Sequence, residues 1–163
     1  MIAVAVAEHR ASLETWYDER TSLPGPAFWN AVLFAESARC ARFGRPATVV
    51  LVEIVVLREE HGPWGSEVAP ADLVEVSAAL ANGTRASDYV ARLDGPRFGI
   101  VLTETDEIAA INVVERLRTR VDDLLRSRMA PARVAFGWAS PKGELTLVEA
   151  VGRAEIRLRH EAQ

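Results

Sequence analysis

The sequence predicts an α/β domain in which helices flank a mixed central sheet. The run Thr48–Val56 consists almost entirely of β-branched and apolar residues, which is typical of a strand buried on both faces. Two shorter apolar runs follow, and Asp94-Gly95 between them is a strong hairpin signal. Stretches of helical periodicity separate these strands, and such an arrangement indicates a sheet covered by helices.

The boundaries of the elements follow from apolar periodicity and from helix-breaking residues. The helix before the long strand ends at Gly44, and Pro46 follows, since both residue types favour a stop there. In chain order the predicted elements are a short helix at 3–17, a helix at 27–43, a strand at 48–56, a helix at 70–81, strands at 89–93 and 98–102, a helix at 106–128, a strand at 133–139 and a helix at 147–160. The apolar stripe of the long helix is predicted to comprise Ile108, Ile111, Val114, Leu117, Val121 and Leu125.

Length and composition fit one globular domain. The chain has 163 residues, of which 49% are hydrophobic, and its net charge of -4 argues against general nucleic-acid binding. Cys40 is the sole cysteine and the three histidines lack metal-ligand spacing, so we expect neither a disulfide nor a metal site. The apolar start is too short for a signal peptide and no stretch can cross a bilayer. We therefore expect a cytoplasmic protein without membrane insertion.

Five short strings occur along the chain in a characteristic order and spacing. They are Asp18–Pro24, Arg39–Pro46, Arg85–Leu93, Val134–Ala139 and Arg153–Leu158. Together they resemble motifs of the GGDEF family, the diguanylate cyclases, over about residues 18–160. The resemblance implies an α+β sandwich with the palm-like mixed sheet of nucleotidyl cyclases. It also implies a GGDEF domain at 18–163, preceded by a lead-in helix at 1–17.

The signature that gives this family its name is altered in the chain. Asp94-Gly95-Pro96-Arg97-Phe98 stands where the family has Gly-Gly-Asp/Glu-Glu-Phe. Family members join two GTP molecules with the help of divalent metals held by carboxylates. The resemblance places Glu53 at one metal-ligand position and Pro96, which has neither a carboxylate nor an N–H group, at the other. Arg97 adds a positive charge where a cation would sit.

The guanine-binding positions of the family have changed as well. The resemblance assigns an asparagine position to His61 and an aspartate position to Pro70, and Asp94 replaces the first signature glycine. Gly25-Pro26 stands where the family has an asparagine-arginine pair. These changes predict a degenerate domain that is not an enzyme and needs no cofactor.

A second site of the family is retained in the sequence. Many GGDEF domains bind their product, cyclic di-GMP, through an R-x-x-D string five residues before the signature, and Arg85–Asp88 lies at that offset. An arginine can donate to guanine O6 and N7, and a carboxylate can accept from the opposite edge of the base. The family adds an arginine on the next helix, and the resemblance assigns this third member to Arg116.

The R-x-x-D string is weak evidence on its own, because all but one of the 19 basic residues are arginine. Arg120–Asp123 is a second such string, in the middle of a predicted helix, and we expect no function for it. Arg85 and Asp88 can equally form a solvated loop salt bridge of little energetic value. Arg92 is either a further ligand-facing residue or a surface residue of its strand.

The sequence therefore leaves several functions open. The favoured one is a cyclic di-GMP receptor whose ligand regulates a protein partner or the domain's own dimerisation. The principal alternative is a ligand-free interaction or dimerisation module on the same scaffold. A domain that senses GTP without turnover, and a remnant enzyme, are less favoured because the guanine and metal positions have changed.

Overall fold

The structure, a computed structural model, describes residues 16–57 and 67–163. Four long helices and four strands occur in these ranges, and each matches a predicted element to within about two residues. They are α1 (Pro26–Phe43), β1 (Ala47–Val56), α2 (Pro70–Gly83), β2 (Tyr89–Arg92), β3 (Arg97–Thr103), α3 (Glu107–Ser127), β4 (Ala132–Ala139) and α4 (Leu147–Ala162). Most of the predicted helix at 3–17 lies outside the described residues, and Tyr17 forms an isolated bridge with Pro24 instead of a helical turn. None of the described helices has the length and apolarity that a membrane span requires.

The four strands form one sheet in the order β2-β3-β1-β4. All three pairings between neighbours are antiparallel. The predicted α/β domain with a helix-covered sheet is confirmed, but the described sheet is antiparallel where the sequence suggested a mixed one. The reason lies in the strand order. Strands β1 and β2 run in the same direction, but β3 lies between them. Strands β3 and β4 also run in the same direction, and β1 lies between those two.

The central strand β1 contributes to a core on each side of the sheet. Val50, Val52 and Ile54 pack with α2 and α3, whereas Val49 and Leu51 pack with α1 and α4. All five side chains are at most 4% exposed. Because alternate residues of a strand point to opposite faces, a strand with helices on both sides is apolar throughout. This is the pattern that the sequence shows.

The buried stripe of α3 differs from the predicted one in its first two turns. The side chains that reach the core are Ala110, Val114, Leu117, Val121 and Leu125. Ile108 and Ile111 are 78% and 43% exposed, so the prediction that they join the stripe was wrong. Counting back four residues from Val114 leads to Ala110, and the small alanine therefore takes the inward position.

The predicted Asp-Gly hairpin connects β2 with β3. Gly95 has a φ of 48°, in the left-handed region that glycine adopts without strain, and the Arg97 N–H donates to the Asp94 carbonyl at 2.9 Å. The hairpin register places Arg97 at the start of β3, opposite Glu53 of β1. The altered signature and the end of the central strand therefore lie side by side.

Candidate functional site

Arg97 lies between two carboxylates at the hairpin. Its Nε donates to Glu53 Oε2 at 3.1 Å, and its Nη1 donates to Glu155 Oε1 of α4 at 3.2 Å. Partial burial acts to lower the pKa of Arg97, but the charges of Glu53 and Glu155 outweigh it and raise the pKa above its usual value. The guanidinium is therefore a fixed positive charge that links β1, β3 and α4.

A cavity of about 580 Å³ adjoins this ion-pair network. Glu53, Arg20 and Arg92 contribute to its wall, as does Pro96, which offers neither a carboxylate nor an N–H group. The described ranges contain no group of three His, Cys, Asp or Glu side chains that could hold a metal ion. A divalent cation at Glu53 would have to compete with the Arg97 guanidinium, from which this carboxylate already accepts.

The other altered positions are spread around the hairpin and the helix starts. His61 lies outside the described residues. Pro70 is exposed as the first residue of α2, and Pro26 has the same place in α1. Proline is favoured at this position because the N–H it lacks has no helical partner there. Both prolines thus have a structural reason to be where they are.

Arg92 connects the hairpin to the turn that precedes α1. Its Nη1 donates to Asp18 Oδ1 at 2.6 Å, and its Nε and Nη2 donate to the Gly95 carbonyl. Partial burial acts to raise the pKa of Asp18, but hydrogen bonds from Thr21 and the charge of Arg92 hold the pKa below its usual value. Arg92 therefore has a structural role that neither interpretation of the sequence included.

The R-x-x-D string forms a turn directly after α2. The Asp88 carboxylate accepts two backbone N–H groups, from Arg85 at 2.9 Å and from Thr103 at 3.1 Å. The Arg85 side chain is exposed, and its guanidinium does not pair with Asp88. The salt bridge that the sequence offered as an alternative is therefore absent. Instead, the carboxylate fixes the turn and attaches it to β3.

Arg116, the third predicted member, reaches the same end of α2 from α3. Its Nη2 donates to the Gly83 carbonyl at 3.0 Å, two residues before Arg85. Arg120 Nη1 contacts the Asn82 carbonyl at 3.5 Å. The last carbonyls of a helix lack helical partners and carry partial negative charge, which attracts guanidinium groups.

The side chains of Arg116 and Arg120 thus both contact the end of α2, next to the Arg85–Asp88 turn. The four-residue spacing between Arg116 and Arg120 is the sequence pattern that indicates this shared position, because residues i and i+4 of a helix lie on one face.

Gly83 allows α2 to end this close to α3. A Cβ atom on Gly83 would lie 2.4 Å from Leu117 Cδ2, so the fully buried Leu117 side chain or one of the two helices would have to shift. The same Cβ would lie 3.9 Å from Arg120 Cδ. A glycine at the end of α2 therefore sets the distance at which the arginines of α3 meet the helix end.

Comparison with known proteins identifies relatives over most of the chain. A family model described as "Diguanylate cyclase, GGDEF domain" matches residues 15–162. The chain is 34% identical over 109 residues to diguanylate cyclase DosC of Escherichia coli strain K12, a match that covers 67% of this chain and 24% of DosC. It is 26% identical over 124 residues to the probable diguanylate cyclase DgcC of the same strain, covering 33% of DgcC. The chain thus spans about a quarter to a third of the length of these relatives.

Solved structures show the same fold. One is diguanylate cyclase SiaD from Pseudomonas aeruginosa in complex with its activator SiaC, with a TM-score of 0.77 and 22% identity over 98% of this chain and 64% of that one. Another is the coiled coil and GGDEF domain of DgcB from Caulobacter crescentus in complex with c-di-GMP. Its TM-score is 0.74, with 17% identity over 96% of this chain and 86% of that one.

Proposed function

Since the chain belongs to the GGDEF domain family, we propose that it is a catalytically inactive member that acts as a receptor for cyclic di-GMP. The ligand would bind at the end of α2, to Arg85, Asp88 and Arg116. One observation supports the proposal most directly: Arg116 Nη2 lies 3.0 Å from the carbonyl oxygen of Gly83, two residues before Arg85.

The two carboxylate oxygens of Asp88 can serve the turn and a guanine base together. An ionised carboxylate offers about four lone-pair sites, and the N–H groups of Arg85 and Thr103 use two of them. The remaining sites can accept from the N1–H and N2–H groups of guanine. The backbone hydrogen bonds fix the carboxylate before the ligand arrives, which reduces the entropy lost on binding.

We infer the loss of catalysis from the residues at the hairpin between β2 and β3. A cyclase needs carboxylates that hold metal ions against the phosphates. Here Glu53 accepts from Arg97 at 3.1 Å, and Pro96 supplies no side-chain ligand. A divalent cation would have to displace the guanidinium from a network that also includes Glu155. We therefore infer that the chain turns over no GTP.

The binding proposal is tested by isothermal titration calorimetry with cyclic di-GMP. We expect micromolar or tighter affinity, about -8 kcal/mol or more favourable. Arg85→Ala should weaken it roughly fivefold to a hundredfold, because a forked arginine contact to guanine contributes about 1–3 kcal/mol. Arg126→Ala is the matched control, since Arg126 is also exposed but pairs with Asp123 on the far part of α3. Absence of heat with wild-type protein at a large ligand excess would refute the receptor.

The catalytic proposal is tested separately with GTP and magnesium. Purified protein should form no cyclic di-GMP above a control without protein. Product that disappears in the Glu53→Ala variant would show that the site is active, because that change removes the one metal-ligand carboxylate assigned by the family resemblance. The two experiments are independent, since a domain can bind the product whether or not it makes it.

A regulatory output is part of the proposal. Cyclic di-GMP is proposed to shift either dimerisation or contact with a protein partner. Among proteins of this fold, SiaD forms a complex with an activator protein and DgcB binds c-di-GMP, which supports a protein partner and the ligand by analogy. Light scattering with and without ligand distinguishes dimerisation from contact with a partner, because only self-association raises the mass of the isolated chain.

The alternative function, a ligand-free interaction module, is favoured by one surface feature. Ile108, Ile111 and Ile156 are 78%, 43% and 58% exposed, and they line an open groove of about 980 Å³ beside β4. Exposed apolar residues that cluster are typical of protein-protein contacts. A domain that binds no cyclic di-GMP but dimerises, and that becomes monomeric on Ile108→Ser, would support this alternative.

A further inference from the structure

The arginines of α3 fall into two groups by the partners they have. Arg118 pairs with Glu161 of α4, and Arg126 pairs with Asp123 at 2.7 Å. Both guanidinium groups are therefore neutralised by a carboxylate. Beyond the end of the same helix, Arg128 follows this pattern and pairs with Asp72 at 2.5 Å.

Arg116 and Arg120 form the second group. Among the residues that the structure describes, no carboxylate lies within 4.0 Å of either guanidinium, and the same holds for Arg85. Arg116 and Arg120 contact the carbonyls of Gly83 and Asn82 instead. A carbonyl orients a guanidinium but does not cancel its charge. Three guanidinium groups without an ion pair therefore belong to residues at or beside the end of α2, in a chain whose net charge is -4.

The guanidinium groups of Arg116 and Arg120 retain donors for a ligand. A guanidinium carries five N–H donors, and each of these two residues gives one to α2. Both side chains belong to exposed residues, so their other donors are accessible. Two guanidinium groups spaced four residues apart on one helix face can both reach a single anion above that face.

We propose that Arg120 is a third guanidinium of this site and that it binds a phosphodiester group of the ligand. The inference rests on the proposed receptor function and adds a residue and a role to it. Arg85 and Asp88 contact the base, whereas Arg116 and Arg120 together bind the negatively charged backbone of a cyclic dinucleotide. The helix end of α2 holds both arginines in place before the ligand binds, which lowers the ordering cost.

The test separates the charge of Arg120 from its hydrogen bond to α2. Arg120→Gln keeps an N–H donor for the Asn82 carbonyl but removes the charge. Arg120→Lys keeps the charge but lacks the planar set of N–H donors of a guanidinium. Arg126→Gln is the control, because Arg126 lies on the same helix and is already paired. In calorimetry with cyclic di-GMP, Arg120→Gln should weaken binding about threefold to tenfold, whereas Arg120→Lys should recover most of the affinity.

Salt provides a readout that a structural role would not change. A charge that meets a phosphate makes binding weaker as salt rises, so the salt dependence of Arg120→Gln should be shallower than that of wild type. If Arg120→Gln binds as wild type does at both low and high salt, Arg120 is not part of the site. The proposed receptor function would survive that result.

Inorganic pyrophosphate is a second probe that needs no guanine recognition. Titrated into labelled wild-type protein, it should shift the side-chain Nε–H resonances of Arg116 and Arg120, and Arg120→Gln should abolish most of the response at Arg116. Pyrophosphate shifts without any binding of cyclic di-GMP would support the anion site and refute the receptor. Absence of both responses would overturn the two proposals together.

Discussion

Replacing Arg97 by methionine removes the positive charge between Glu53 and Glu155 while keeping most of the side chain's apolar stem. The two carboxylates accept from this guanidinium at 3.1 Å and 3.2 Å in the wild-type structure. Without it, Glu53 has no cation within 4.0 Å among the described residues, and Glu155 retains Arg159 alone. Two like charges then face each other without the group that separated them.

The expected loss of stability follows from how far these groups are exposed. The side chains of Arg97, Glu53 and Glu155 are 32%, 25% and 23% exposed, so water screens the pairs in part. Exposed ion pairs contribute about 0.2–1 kcal/mol, and buried hydrogen bonds to charged groups about 1.5–3 kcal/mol. For two partly buried contacts we expect Arg97→Met to lower the free energy of unfolding by about 1–2 kcal/mol. For a domain of this size that corresponds to a melting temperature roughly 2–8 °C lower.

Urea denaturation with and without magnesium is the assay. Millimolar magnesium should restore part of the lost stability in Arg97→Met, because Glu53 would have no cation partner and Glu155 would keep only Arg159. It should leave wild type unchanged. Arg126→Met is the control, since that side chain is 74% exposed and its pair should contribute little. Equal stability of Arg97→Met and wild type, or an equal response of both to magnesium, would refute the view that Arg97 occupies a cation position.

Two further predictions concern the hairpin and the turn attached to it. A triple variant with the family's acidic and glycine signature residues should still make no cyclic di-GMP, because Glu53 and Pro70 remain altered, and robust turnover would show that the signature alone decides. The three changes are Asp94→Gly, Pro96→Glu and Arg97→Glu. Asp18→Asn should lower stability at neutral pH. Since folding lowers the pKa of Asp18, its contribution is present above the pKa of the unfolded state and is lost as the pH falls through the folded pKa, below about pH 4. A difference between Asp18→Asn and wild type that persists unchanged in denaturant titrations down to about pH 2 would contradict this.

The elements of the fold were predictable because their signals are local. The apolar run of β1 needs no knowledge of its neighbours, and Asp94-Gly95 specifies a turn through the left-handed conformation of one glycine. The sequence does not specify which residues of the first turn of α3 are buried. Ile108 and Ala110 both fit a helical period, and only the packing of α3 on the sheet determines that Ala110 is the buried one. The order of the strands, which makes the sheet antiparallel, likewise depends on contacts between residues that are distant in sequence.

The partners of the charged residues were not predictable from the sequence. Arg97 and Glu155 are separated by 58 positions, and Arg92 and Asp18 by 74. Neither pair has a local pattern that marks it, since the chain is rich in both arginine and acidic residues. The family resemblance identified positions that had changed, but it did not show that Arg97 and Arg92 had acquired carboxylate partners.

These partners decide which of the two sites can accept an anionic ligand most readily. At the hairpin, a phosphate would have to compete with Glu53 and Glu155 for Arg97. The displaced Glu53 would remain partly buried without a partner, and Glu155 would keep only Arg159. At the end of α2, Arg116 is held by the Gly83 carbonyl, and a ligand can bind its free donors without breaking an ion pair. The cost of binding is therefore lower at α2, although both sites contain arginine. This difference is the physical reason for proposing that ligand binding occurs at the end of α2 and that the hairpin no longer serves catalysis.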